Sequence, residues 1–296
     1  MSNAEELPSN WGRWGDEDDK GTLNLITDEV RARAAAEVRT GHWASLAMPI
    51  EPAAIMSGPF VPSTIKESPV QQLVVHQVGD PGDTSCAHVD VLIVTNHHPR
   101  STHLDSVSHI SNNGMVYPGK PVAEAITPAG VRFGSSTGFR AGIVTRGVLL
   151  DLAVDGPLPA GYAVTSEDLE SAEKRQGVHV ESGDALVVRM GWEFGPSLEV
   201  SQPGITVDAI RWMHRREVSL YAGDVGDGYP SVDPVHPTPL HSIGIGRMGM
   251  PLVDAPNVEE LVVLCKELDR YSFMLTAAPP RVSNATGLPV NPIALF

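Results

Sequence analysis

The chain has 296 residues, 42% of them hydrophobic and 19% charged, with a formal net charge of −15. A mean hydropathy of −0.06 and this length describe a globular fold with a sizeable core, and exclude a disordered or membrane-embedded chain. The acidic balance leaves no basic surface to neutralise phosphate, so nucleic acid and anionic membrane are set aside as partners and a small molecule is expected.

Met1 to Glu6 is polar and acidic, with neither a basic nor an apolar segment of a secretory signal, and no apolar run is long enough to span a bilayer. Cys86 and Cys265 lie too far apart in sequence to suggest a disulfide framework, so a reduced, cytoplasmic setting is expected. Trp11 to Leu25 is aromatic, acidic and rich in glycine, which predicts irregular structure. Thr27 or Asp28 then caps a helix through Arg39 that stops at Gly41. Pro49 to Pro69, full of Pro, Ser and Gly, reads as a long loop of the kind that serves as a lid or a dimer arm. Gln71 to Val78 and His88 to Thr95 read as strands joined by the turn cluster Gly79 to Asp83, so a hairpin leads into the segment that follows.

That segment, Ser101-Thr102-His103-Leu104-Asp105-Ser106-Val107-Ser108-His109, carries the chemistry. On extended backbone His103 and Asp105 project to one side, and a helical turn after Asp105 would bring His109 to the same point. Two imidazoles and a carboxylate without a nearby thiolate suit zinc, manganese or ferrous iron rather than a structural cysteine site. A hydrogen-bonded structural histidine is the competing reading of each residue taken singly. His97 and His98, before Pro99, are either solvated loop residues or a further ligand.

Beyond the motif, Ala141 to Leu152 and Asp184 to Met190 read as buried strands, with a helix at Ser166 to Arg175 between them. Thr206 caps a helix through Arg216, and Val218 to Ala222 is a strand running into Gly223-Asp224. Asn257 to Glu260 has capping-box spacing for a helix to about Lys266, and Tyr271 to Ala277 closes as a strand. Strands outnumber helices, which predicts one α/β domain with a mixed β-sheet flanked by helices. His241, Asp254 and Asp224 are additional candidates for the site, each equally readable as a core or turn residue. Neither a phosphate-binding glycine loop nor a serine-hydrolase elbow is present.

Thr102-His103-Leu104-Asp105 with His109 resembles the H-x-G-T-H-x-D-x-P-x-H signature of the metal-dependent cyclase family, which includes bacterial kynurenine formamidases and isatin hydrolases. Trp14-Gly15 with Gly21 to Leu25, Arg146 to Asp151, Gly183 to Trp192 and Asn291 to Ala294 resemble further segments of its longer members. The resemblance implies a swivelling β/β/α domain over 71–296. It also implies an N-terminal arm, helix and loop over 1–70 that reach a neighbouring subunit in a homodimer or homotetramer. It makes His103 and Asp105 metal ligands, His109 the proton donor and acceptor, His241 a second-metal ligand and Asp254 the counterpart of a bridging glutamate. Two departures stand out: Pro99 occupies the place of the signature's first histidine, and Asp254 is one methylene shorter than glutamate. The expectation is therefore one divalent ion, manganese or zinc, held by His103 and Asp105 with His241 or Asp254, a second ion being disfavoured. Hydrolysis of a small amide, lactam or lactone follows, with Trp11, Trp14 and Phe60 lining the substrate or forming a hydrophobic dimer contact. A metal-dependent lyase or cyclase and a non-catalytic small-molecule binder are the alternatives.

Overall fold

Residues 6–54, 68–78, 82, 85–192 and 201–296 are described by the computed structural model. Phe60 and the turn at 79–81 and 83–84 lie outside the described residues. The strands used below are β1 (Trp43–Ser45), β2 (Ala53–Ala54), β3 (Val70–Val78), β4 (Ala87–Val94), β5 (His103–Asp105), β6 (Ile143–Asp151), β7 (Ala185–Arg189), β8 (Leu220–Gly223), β9 (Leu252–Asp254), β10 (Ser272–Ala277), β11 (Gly287–Pro289) and β12 (Ile293–Leu295). The helices are α1 (Asp28–Ala35), α2 (Ser166–Gln176), α3 (Val207–Arg215) and α4 (Glu259–Leu268).

Nine strands form one mixed sheet in the order β1-β12-β10-β6-β7-β8-β9-β5-β11. Its centre, β6 to β9, is parallel, and every flanking pair is antiparallel. The central strands are buried almost throughout, as parallel strands covered on both faces must be. Alternation along them feeds two cores. Leu186, Val188 and Tyr221 pack with Trp212 and Met213 of α3 on one face, while Ala185, Val187 and Ala222 pack with Leu261 and Cys265 of α4 on the other.

Capping chemistry places most helices where the sequence puts them. Thr27 accepts from Val30 N–H, Thr206 accepts from Ala209 N–H, and Thr165 with Asp168 closes a capping box. Two expectations shift. The first helix ends at Ala35 rather than Arg39, because the chain turns inward to bury Glu37, whose carboxylate pairs with Arg146 at 3.0 Å and Arg270 at 3.0 Å. The Asn257 capping box is half made: Asn257 Oδ1 accepts from Glu259 N–H at 3.2 Å, but α4 begins at Glu259 behind Val258. Among the described residues no helix is long and apolar enough to cross a membrane.

The hairpin β3–β4 stands apart from the large sheet, with β2 on its inner edge. Its second strand hands the chain directly to the segment that builds the site.

Candidate metal centre

The short strand β5 is held on three sides. Thr102 Oγ1 donates to Ala255 O at 2.7 Å and accepts from Met48 N–H at 2.9 Å, while β9 and β11 pair along the two edges of β5. Leu104 enters the core with Val253 and Leu261, so strand alternation turns His103 and Asp105 together to the other face. His103 Nε2 lies 3.4 Å from Asp105 Oδ1.

The turn after Asp105 is not helical. Ser106 N–H is taken by Thr286 O and Ser108 N–H by Gly134 O, and a tight turn closed by His109 N–H to Ser106 O at 3.0 Å replaces the expected helical turn. His109 still comes within reach: Asp105, His109 and His241 present ligand atoms all within 4.8 Å of one another.

A second group, His97, His103 and Asp105, meets the same spacing, so that of the two loop histidines named as a further ligand it is His97 that joins the cluster. Pro99 cannot ligate, but residues 98–101 fold into a turn closed by Ser101 N–H to His98 O at 2.9 Å, and this takes up the slack. His97 thereby reaches Asp105, with Nδ1 at 2.8 Å from Oδ1, while its Nε2 bonds Thr286 Oγ1 at 2.8 Å. The ring stacks on His109 at 3.7 Å and meets His103 edge-on at 5.1 Å. Gly287 makes the approach feasible, since a Cβ there would stand 2.6 Å from His97 Cε1. His98, buried, is spent on the turn, where Nδ1 accepts from Arg100 N–H at 3.1 Å.

His241 arrives on a π-helix, Leu240–Ile245. Its Nδ1–H donates to Asp227 Oδ2 at 2.7 Å, and the same carboxylate accepts from the backbone N–H of Leu240 at 2.9 Å and of His241 at 3.0 Å. That fixes the tautomer and leaves Nε2 facing Asp105 Oδ2 at 3.9 Å and Asp254 Oδ2 at 4.0 Å. His103 is fixed in the same way: its Nδ1–H donates to Ser101 O at 2.6 Å, which leaves Nε2 toward the cluster. Asp227 sits between Gly226 and Gly228 and belongs to none of the motifs read from the sequence.

Asp254 ends β9 at the rim, with Oδ1 accepting from Ala255 N–H at 3.1 Å and Oδ2 turned to His241. Asp224 is used elsewhere. It clamps strand ends by accepting from the N–H groups of Met190, Gly191, Trp192 and Val225, and burial pushes its carboxyl up to about 6. Trp11 is tied by Nε1–H to Gly246 O at 3.0 Å, just past the π-helix, with Arg247 over its ring. Trp14 is half-buried under Arg13.

Charge and solvation act together here. Burial raises the Asp105 carboxyl, but the close His97 ring and the neighbouring imidazoles outweigh it and hold Asp105 below its usual value. Burial pushes His109 down to about 4, so it is neutral at pH 7. Burial also works against protonation of His241, yet Asp227 and the carboxylates nearby raise it to about 9.

These residues fit a divalent cation. Asp105 is fully buried, and neither of its oxygens receives a well-aligned hydrogen bond; His97 Nδ1 is equally unsatisfied, so their 2.8 Å contact is close but poorly aimed. A buried carboxylate left so is costly unless a cation meets it. Two triads of imidazole and carboxylate donors, His97-His103-Asp105 and Asp105-His109-His241, share Asp105 and supply that partner's first ligands.

Residues 37–230 match the family model described as Cyclase. No curated protein sequence matches the chain. A crystal structure of a novel cyclase is 28% identical with a TM-score of 0.81, the alignment covering 98% of this chain and 100% of that one. Isatin hydrolase A from Ralstonia solanacearum aligns with a TM-score of 0.58 at 18% identity, covering 89% of this chain and 94% of its own. Isatin hydrolase A from Labrenzia aggregata, bound to benzyl benzoate, gives 0.57 at 19% identity, covering 92% and 98%. Both isatin hydrolases are likenesses of fold.

Proposed function

The chain belongs to the cyclase family, and from that premise and the geometry of the cluster we propose that it is a metal-dependent hydrolase of a small amide, lactam or lactone. The observation that carries this reading is Asp105, wholly buried yet without an aligned hydrogen bond, and ringed by His97, His103, His109 and His241. His97, His103 and Asp105 would hold the ion, with His241 reaching it from the other oxygen of Asp105 and Asp254 closing the rim. Manganese and zinc both suit this donor set. When bound, a divalent ion supplies Lewis-acid activation of water and of the substrate carbonyl at neutral pH.

The remaining steps belong to the chain. His109, neutral at pH 7, accepts a proton from the attacking water and returns it to the leaving nitrogen or oxygen. Asp227 keeps His241 Nε2 aimed inward by holding Nδ1–H, as Ser101 O does for His103. Trp11, anchored beside the π-helix that carries His241, offers an aromatic face to a cyclic or aromatic substrate. The reading is tested by elemental analysis of the purified protein and a turnover screen over formylated anilines, isatin-like lactams and small lactones in ¹⁸O-labelled water. Hydrolysis puts the label into product. Turnover without label would replace it with a lyase or cyclase, and tight ligand binding without turnover would replace it with a binding protein.

A further inference from the structure

Three imidazoles of the cluster are held by the ring nitrogen that faces away from it, and one of the three holders differs in kind. Asp227 and the carbonyl of Ser101 only accept, so they lock His241 and His103 with the proton on Nδ1 and Nε2 turned inward. His97 is held by a hydroxyl: its Nε2 lies 2.8 Å from Thr286 Oγ1, and a hydroxyl both donates and accepts. The ring is also reversed, since it turns Nδ1 rather than Nε2 toward Asp105, 2.8 Å from Oδ1.

Thr286 is fixed where this contact needs it. Its carbonyl accepts from the N–H of Ser106, the residue after Asp105, at 2.9 Å. Beside it, Asn96 Nδ2–H donates to the carbonyl of Gly287 at 2.8 Å. Thr286 and Gly287, where β11 begins, therefore hold Asn96 and His97 in turn. His97 and Thr286 are both half-buried, so water reaches the outer side of the ring, while its inner side faces a wholly buried carboxylate.

What the ring must present differs with and without an ion. A bare Nδ1 lone pair 2.8 Å from a carboxylate oxygen is repulsive, so without an ion the proton sits on Nδ1 and Thr286 donates its hydroxyl hydrogen to Nε2. The Nδ1 contact is close but poorly aimed, so what an ion displaces there is a weak bond. An ion on Asp105 needs the Nδ1 lone pair; the proton then sits on Nε2 and Thr286 accepts it. The exchange moves one proton from Nδ1 to water and one from water to Nε2, and the hydroxyl turns about its C–O bond. The ring is neutral in both states, and neither nitrogen is left without a partner. An acceptor-only group in place of Thr286 would serve the second state alone.

We propose that Thr286 is a positioning residue that lets His97 change tautomer, Nδ1–H in the metal-free chain and Nε2–H with the ion bound, while His103 and His241 keep the proton on Nδ1. The ion-bound half rests on the metal-dependent reading above; the metal-free half does not.

The test adds Zn²⁺ to the chelator-stripped full chain labelled with ¹⁵N-histidine. Long-range ¹H–¹⁵N spectra tell the two tautomers and the doubly protonated ring apart, and the His97 signals are identified by their absence from His97→Gln. His97 is expected as Nδ1–H before zinc and Nε2–H after it. Thr286→Val, which keeps the branched shape without the hydroxyl, is expected to weaken zinc binding about tenfold or more in competition with a chelator, and Thr286→Ser to restore it, each checked for folding by circular dichroism. If Thr286→Val misfolds, the spectra of the unaltered chain decide. Zinc that binds while His97 stays Nδ1–H overturns the proposal and leaves the metal-dependent reading standing. So does a metal-free chain whose His97 is already Nε2–H or doubly protonated, a folded Thr286→Val that binds zinc as tightly as the unaltered chain, or a Thr286→Ser as weak as Thr286→Val. No zinc binding by the unaltered chain overturns the metal-dependent reading and this proposal with it.

Discussion

Asp227→Asn separates two effects that Asp227 exerts on His241. The carboxylate accepts three hydrogen bonds, from Leu240 N–H, His241 N–H and His241 Nδ1–H. An amide has one acceptor oxygen, so the variant keeps part of this set and turns an NH₂ group toward a donor. Loss of an orienting carboxylate behind a ligand histidine weakens metal binding by about 10- to 100-fold, or about 1.4–2.8 kcal/mol. The opposing effect is protonation. Against the pull of burial, Asp227 first, and then Asp254 and Asp105, raise His241 to about 9 in the metal-free protein. At pH 7 only about 1% of His241 is then neutral, a handicap of about 100-fold to any ion that needs Nε2. The variant sheds the largest share of that handicap, the part due to Asp227, as it loses the orienting bond, while Asp254 and Asp105 keep the rest. Near pH 7 the two effects offset, and near pH 9 only the loss remains. Competition of Mn²⁺ between protein and a chelator of known affinity measures this. The variant is expected to match the unaltered chain within about tenfold at pH 7 and to bind about 10- to 100-fold more weakly at pH 9. Parallel pH profiles, with one constant ratio throughout, would show that Asp227 does not govern the protonation of His241.

His109→Ala is expected to keep its metal stoichiometry while turnover falls about 10²- to 10⁴-fold; loss of the ion with the activity would make His109 a ligand instead. Gly287→Ala sets a Cβ 2.6 Å from His97 Cε1 and 2.9 Å from Leu104 O. It should cost about 1–3 kcal/mol in urea unfolding and, by displacing His97, weaken Mn²⁺ binding about tenfold or more; unchanged affinity in the folded variant would take His97 out of the ligand set. In the chelator-stripped protein, His241 has a folded value of about 9 above an unfolded value of about 6.5, so its contribution is complete below pH 6.5 and is lost as pH rises through 9. Urea midpoints at pH 6 and pH 9.5 should differ by the equivalent of about 3 kcal/mol more in the unaltered chain than in His241→Gln, and equal differences would contradict the assignment.

Much of this architecture is legible in the residues because local and global preferences agree. The apolar runs at Ile143–Asp151 and Ala185–Arg189, capped helices between strands and the alternation at His103 and Asp105 all point to one mixed α/β sheet. The site is only half legible. His103, Asp105 and His109 share a motif, and spacing carries their convergence even though the helical turn assumed for His109 is an irregular one. His97 escapes the pattern because a turn at 98–101 shifts the register by two residues, and the space it needs depends on Gly287, 190 residues further along the chain. Asp227 and His241 meet only through the loop between β8 and the π-helix, so no local periodicity announces them. Trp11 could be named as aromatic surface, but its anchoring to Gly246 is a tertiary fact.

Asp105 is wholly buried with both oxygens unsatisfied, and the function proposed here makes a divalent cation its partner. Equilibrium Mn²⁺ and Zn²⁺ binding to the chelator-stripped chain and to Asp105→Asn, each checked for folding by circular dichroism, tests it most directly. Tight binding by the unaltered chain and a loss of at least about 100-fold in the folded variant are expected. Equal binding by both, or no binding by the unaltered chain, would contradict it.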